Sequence, residues 1–210
     1  VTTADAFVHV FEPASAPGAP TVLLLHGTGA DEHDLLPLGR ALAPGAALLS
    51  PRGKVDEHGA NRWFRRLREG VFDVDDLIAR AAELAAFVTA ATRAYDLDPG
   101  RIVATGFSNG ANTAAALLLL HPDLLAGAVL LAAGAPLQDR EPDPVDLSGT
   151  RVFLGSGETD PITTIDQARL LAAQLGERGA EVTAREHPGG HAVPPRVLAD
   201  ARRWWQGSAF

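Results

Sequence analysis

The apolar positions of this 210-residue chain fall into short runs separated by longer amphipathic stretches. Runs of strand length occupy 6–11, 21–26, 46–50, 101–107, 127–132, 151–154 and 180–186. Several are continuous, as in Val22-Leu23-Leu24-Leu25 and Val129-Leu130-Leu131, the pattern of strands covered on both faces. Between them, helical periodicity predicts helices over 34–42, 75–95, 111–121, 164–177 and 195–205. Asp75 and Asp76 suit the positive end of the second helix, Pro122 stops the third, Gly179 follows the fourth and prolines open the fifth. Strands alternating with helices predict an α/β architecture: a mostly parallel sheet of about seven strands with helices on both faces. Two segments, 51–74 and 133–149, are long for loops and are expected to serve function. Neither is large enough for a cap domain, and the expectation is one domain over 1–210.

Composition narrows the field of functions. The net charge of −8, with no basic stripe to offset it, argues against a nucleic-acid partner and against docking on anionic lipid. No apolar run reaches the roughly 18 residues that a membrane-spanning helix needs. No basic region followed by an apolar stretch marks the N-terminus, so a cytoplasmic protein is expected. The absence of cysteine excludes disulfides, thiolate metal sites and a cysteine nucleophile. One lysine, Lys54, stands against seventeen arginines, a bias that reads as GC-rich coding.

The chemistry is carried by Gly106-Phe107-Ser108-Asn109-Gly110. The preceding run reads as a strand and the following one as a helix, which makes this a nucleophile elbow with Ser108 at its tip. A serine hydroxyl needs a base to take its proton, and in this fold type the order along the chain is serine, acid, histidine. Downstream lie His121, His187 and His191. His121 ends the helix that Ser108 opens and points away. His187 ends a strand, while His191 lies in the Pro188-Gly189-Gly190 loop beyond it and is the expected base. Asp160, just before Pro161 at the end of the 151–154 run, is the expected acid, ahead of Glu158. The oxyanion is expected to meet the backbone amides of Asn109 and of Thr28, in the loop His26-Gly27-Thr28-Gly29. His26 itself reads as a buried structural histidine.

In the 51–74 segment, Trp63 and Phe64 are expected to wall a substrate pocket, with an arginine among Arg62, Arg65, Arg66 and Arg68 available to meet an acidic substrate group. Trp204 and Trp205 read as packing or a dimer contact. The stretch Gly27-Thr28-Gly29-Ala30-Asp31-Glu32 begins like a dinucleotide fingerprint, but a carboxylate at its sixth position would face the phosphates.

Taken together, L-L-H-G-T-G-A-D-E-H-D-L-L-P-L (24–38), P-R-G-K-V (51–55), R-W-F-R-R (62–66), G-F-S-N-G-A-N (106–112), T-D-P-I (159–162) and G-G-H (189–191) resemble the phospholipase/carboxylesterase family of α/β hydrolases. That family includes small bacterial carboxylesterases and acyl-protein thioesterases. The motifs look closest to a bacterial branch of carboxylesterases, some associated with hydroquinone metabolism or resistance. The resemblance implies a triad of Ser108, Asp160 and His191, oxyanion amides at Thr28 and Asn109, no cofactor, and often a homodimer; no metal is expected. The wider family carries Gln and Gly where this chain has Asn109 and Ala111, and the region 62–72 differs from the thioesterases. The expected activity is hydrolysis of small, short-to-medium acyl or aryl esters through an acyl-enzyme. The alternatives are a thioesterase or lysophospholipase on the same triad, or a non-catalytic binding protein of the same fold.

Overall fold

The computed structural model of the chain describes residues 6–141, 143–208 and 210. The expectation drawn from the first five residues therefore lies outside the described part. Among the described residues, eleven strands and five α-helices follow in the order β1 (His9–Glu12), β2 (Thr21–Leu25), α1 (Leu36–Leu42), β3 (Ala47–Pro51), β4 (Val55–Glu57), β5 (Ala60–Arg62), β6 (Arg66–Arg68), β7 (Val71–Phe72), α2 (Val74–Ala94), β8 (Ile102–Phe107), α3 (Asn109–Leu120), β9 (Gly127–Leu131), β10 (Arg151–Gly157), α4 (Ile165–Glu177), β11 (Glu181–His187) and α5 (Pro195–Gln206).

Seven of the strands form the central sheet, in the order β1-β3-β2-β8-β9-β10-β11. β1 runs antiparallel to β3, and every other pairing in this sheet is parallel. The side-chain period of two divides the strand residues between two cores. Leu23, Leu25, Ile102, Ala104, Ala128, Leu130, Val152 and Leu154 face α2, α3 and α4. Val22, Leu24, Leu48, Val103, Val129, Leu131 and Phe153 face α1 and α5. Covered on both faces, these strands need no polar alternation, which is why they read as continuous apolar runs.

α3 is buried on nearly all sides, from Asn109 to Leu119. Its Ala- and Leu-rich sequence matches that burial, because a helix without a solvent face has no use for charge. α2 begins at Asp73, whose carboxylate accepts a hydrogen bond from the Asp76 amide at 3.1 Å, with Asp75 and Asp76 in the first turn. Trp204 and Trp205 on α5 are buried; Trp204 meets Phe153 and Phe210, and Trp205 meets Phe210. They are packing residues.

The segment 51–74 is not an unstructured loop. It folds as two antiparallel hairpins, β4–β5 and β6–β7, laid end to end before α2. Among the described residues no helix is long and apolar enough to cross a membrane.

Candidate active site

The sheet places three side chains at the carboxyl ends of its parallel strands. Ser108 follows β8 and caps α3, with φ 53° and ψ −117°. A non-glycine residue in that conformation stores roughly 1–3 kcal/mol of strain, which the surrounding packing must hold. The elbow is held closely: a Cβ on Gly106 would lie 2.7 Å from the Ala111 nitrogen, and one on Gly110 would run into the carbonyl of Leu25. The Ser108 amide donates to the Leu131 carbonyl at 2.9 Å, which ties the elbow to β9.

Asp160 lies in the turn after β10, with its side chain 1% exposed. Its Oδ1 accepts hydrogen bonds from the amides of Ile162 at 2.8 Å and Thr163 at 3.0 Å. Oδ2 is left to face His191 Nδ1 at 2.7 Å. His191 Nε2 lies 2.8 Å from Ser108 Oγ. Hydrogen bonds therefore link Asp160 to His191 and His191 to Ser108, although the sequence spreads these residues over more than eighty positions. Glu158 is exposed.

The loop carrying His191 is bound to the turn of Asp160 by backbone. The Glu158 amide donates to the His187 carbonyl at 2.8 Å, and the Thr159 amide to the Gly189 carbonyl at 3.2 Å. His187 is 4% exposed and its Nδ1 accepts from the Gly189 amide at 3.1 Å. It shapes the loop from inside rather than from the surface.

On the other side of Ser108 stands the loop after β2, braced by the hairpins. His26 is 1% exposed; its Nδ1 donates to the Gly27 carbonyl at 2.7 Å and its Nε2 accepts from the Gly53 amide at 3.0 Å. Burial holds this imidazole below its ordinary value, in keeping with a neutral ring. Trp63 donates from its indole to the His26 carbonyl and from its backbone amide to Asn109 Oδ1, each at 2.8 Å. The Gly29 amide donates to the Asn61 carbonyl at 2.9 Å, and Arg62 Nη1 donates to Thr28 Oγ1 at the same distance. Among the described residues no acceptor is found for the backbone amide of Thr28 or of Asn109. Glu32, buried and held well into its ionised range by the Arg52 guanidinium, fixes the rest of this loop.

Ser108 opens on a cavity of about 370 Å³. Its apolar wall comes from Phe72, Phe107 and Ile162, and its polar wall from Arg62, Asn109 and Asn112. Phe64 and Trp63 do not line it, which corrects their expected place. Both are almost wholly buried, because the hairpins turn their aromatics into the core: Trp63 against His26, Phe64 edge-on to Phe72. Phe72 takes the position at the wall.

The family model for phospholipases and carboxylesterases matches residues 7–207. The chain belongs to the phospholipase/carboxylesterase family. A putative hydrolase of Bacillus subtilis, MhqD, is 41% identical over 198 residues, covering 94% of this chain and 97% of its own. The crystal structure of the Bacillus cereus carboxylesterase superposes with a TM-score of 0.91 at 41% identity, over 94% of this chain and 92% of that one. The yeast Debaryomyces hansenii supplies a more distant relative, an acyl-protein thioesterase 1, 27% identical over 135 residues, or 61% of this chain and 57% of the thioesterase. The chain is thus a hydrolase of the carboxylesterase class, built on the α/β-hydrolase sheet of that family.

Phe72, Asn112 and Ile162 had no part in the expected site. Asn112 carried a signal: it is one of the few polar residues on an otherwise Ala- and Leu-rich helix, one turn after Ser108, and its Oδ1 accepts from the Gly134 amide at 2.9 Å. Phe72 carried none, since its position depends on how two short hairpins fold.

Proposed function

We propose that the protein hydrolyses small carboxylic esters through an acyl-enzyme formed on Ser108. The observation that carries this reading is the hydrogen-bonded sequence Asp160–His191–Ser108 at the mouth of the cavity. His191 Nε2 takes the proton of Ser108 as its oxygen attacks the ester carbonyl, and returns it to the departing alcohol. Asp160 keeps the proton of neutral His191 on Nδ1 and balances the imidazolium that forms, without itself being protonated. The tetrahedral oxyanion is received by the amides of Thr28 and Asn109, the second of which opens α3. Water then repeats the sequence on the acyl-enzyme, releasing the acid.

A cavity near the lower end of the usual range for small-molecule sites favours short-to-medium acyl or aryl groups. Thioesters form the second substrate class, favoured by the likeness to an acyl-protein thioesterase. The test is hydrolysis of a short-chain nitrophenyl ester by the wild-type chain and by Ser108→Ala. Turnover is expected to fall by about 10³–10⁶ in the variant. Undiminished turnover would remove Ser108 from the mechanism, and no turnover of any ester or thioester by the wild type would favour a binding protein. An acyl-chain-length profile then separates the substrate classes.

A further inference from the structure

Arg62 is a cation almost out of reach of solvent. It is 4% exposed, it stands in the wall of the cavity beside Ser108, and its five N–H donors are only partly used. Nε donates to the Phe64 carbonyl at 3.2 Å and Nη1 to Thr28 Oγ1 at 2.9 Å. Among the described residues no acceptor is found for Nη2. The carboxylate nearest Arg62, Glu57, is 3.8 Å away and is committed to Arg66, which holds both of its oxygens at 2.8–3.0 Å. The other acids of the cavity, Asp34 and Glu69, lie at its exposed rim, where water screens them, and Glu69 pairs with Arg66. A buried guanidinium with a weakly held counter-charge and a free terminal nitrogen is costly unless something else neutralises it.

Resting on the ester-hydrolase reading above, we propose that Arg62 binds a carboxylate of the substrate, so that the preferred esters are acidic ones, such as the half-esters of short dicarboxylic acids. Arg62 already touches Thr28, so the bound carboxylate sits on the same side of the cavity as the expected oxyanion site. Two hydrogen bonds from a planar guanidinium would fix the ester carbonyl relative to Ser108 Oγ. The carboxylate is held, not consumed: the products are the dicarboxylate and the alcohol, with one proton released per turnover at neutral pH.

The experiment compares esters matched in length and differing in charge: monomethyl succinate with methyl butanoate, and monomethyl adipate with methyl hexanoate. Each is followed by pH-stat at pH 7.5 with wild type, Arg62→Gln and Arg62→Lys. The wild type is expected to favour the acidic member of a pair by about tenfold or more in kcat/KM, as charge-assisted hydrogen bonds require. Arg62→Gln is expected to bring that ratio near one, and Arg62→Lys to leave an intermediate ratio, since it keeps the charge and loses the fork. The ratio is the readout because a merely structural role for Arg62 would lower both members alike. A wild type that prefers the neutral esters, or an unchanged ratio in Arg62→Gln, overturns the proposal. If neither variant folds, the wild-type ratio decides alone, together with competitive inhibition of methyl butanoate turnover by succinate against butyrate. Turnover of the neutral esters alone sinks this inference and leaves the hydrolase reading standing, whereas turnover of neither class, nitrophenyl esters included, sinks both.

Discussion

The two sides of the candidate active site are held in different ways. On one side, Ser108, Asp160 and His191 sit at the carboxyl ends of β8 and β10 and just beyond β11, and the parallel sheet sets their spacing. On the other, the loop after β2 is braced by the hairpins, and several of the braces are side chains meeting backbone: Trp63 on the His26 carbonyl, Asn109 on the Trp63 amide, His26 on the Gly53 amide. The sheet side repeats what any strand-to-helix turn of this architecture supplies. The hairpin side depends on single residues meeting across long stretches of chain. The general part of the molecule therefore sets the hydrogen-bonded sequence Asp160–His191–Ser108, and the particular part sets the loop of Thr28 and, through Arg62 and Phe72, one wall of the cavity.

The largest effect should come from the sheet side. Asp160→Asn keeps an oxygen for the amides of Ile162 and Thr163 but places an NH₂ group against His191, which forces the wrong tautomer. A fall of about 10³–10⁴ in kcat is expected, with the melting temperature little changed. A fall below tenfold would make Asp160 merely structural and erase the contrast.

On the hairpin side, His26→Ala is expected to cost about 3 kcal/mol at pH 8, since it opens a buried gap and orphans the Gly53 amide. The pH dependence of that cost has a definite sign. Burial depresses the His26 pKa in the folded chain, so its contribution to stability is present above the unfolded value of about 6.5. It is lost as pH falls toward and through the depressed folded value. Urea midpoints should then show a smaller penalty at pH 5 than at pH 8. An equal penalty at both would mean that the ring is not held neutral.

Asn109→Ala joins the two sides, because the residue proposed to offer an oxyanion amide also anchors Trp63. The amide survives the change, so kcat/KM should fall only about tenfold, with a stability loss of about 1–3 kcal/mol from the orphaned Trp63 amide. Full activity would show that the hairpins do not position the loop after β2. The smallest effect belongs to Arg65→Ala: this side chain is 63% exposed, and losing its solvent-screened pair with Asp73 at 3.0 Å should leave the urea midpoint almost unchanged.

The same contrast explains what could be read in the sequence. All seven strands of the sheet and all five helices lie close to where apolar runs and helical periodicity place them, the boundaries shifting by a few residues at most ends. Burial on both faces writes itself into composition, as it does in Val22–Leu25 and in α3. The order serine, acid, histidine singled out Ser108, Asp160 and His191, and the structure brings these residues together. The 51–74 segment was opaque for the opposite reason. Its hairpin strands are two or three residues long and rich in charge, so no period of two emerges, and the aromatic residues that looked like pocket walls are drawn into the core. Arg62 was visible only as one arginine among several. Its burial follows from β5 meeting the loop after β2, a contact with no local signature.

The strand order has a thermal consequence. Ser108 is anchored to β9, deep in the sheet, Asp160 follows β10, and His191 hangs from β11, the outermost strand, with a partner on one side only. Local melting begins where a strand has a single neighbour and little depth of packing. Warming should therefore detach His191 before it disturbs Ser108, so that heat inactivation starts, reversibly, below the temperature at which the sheet itself comes apart.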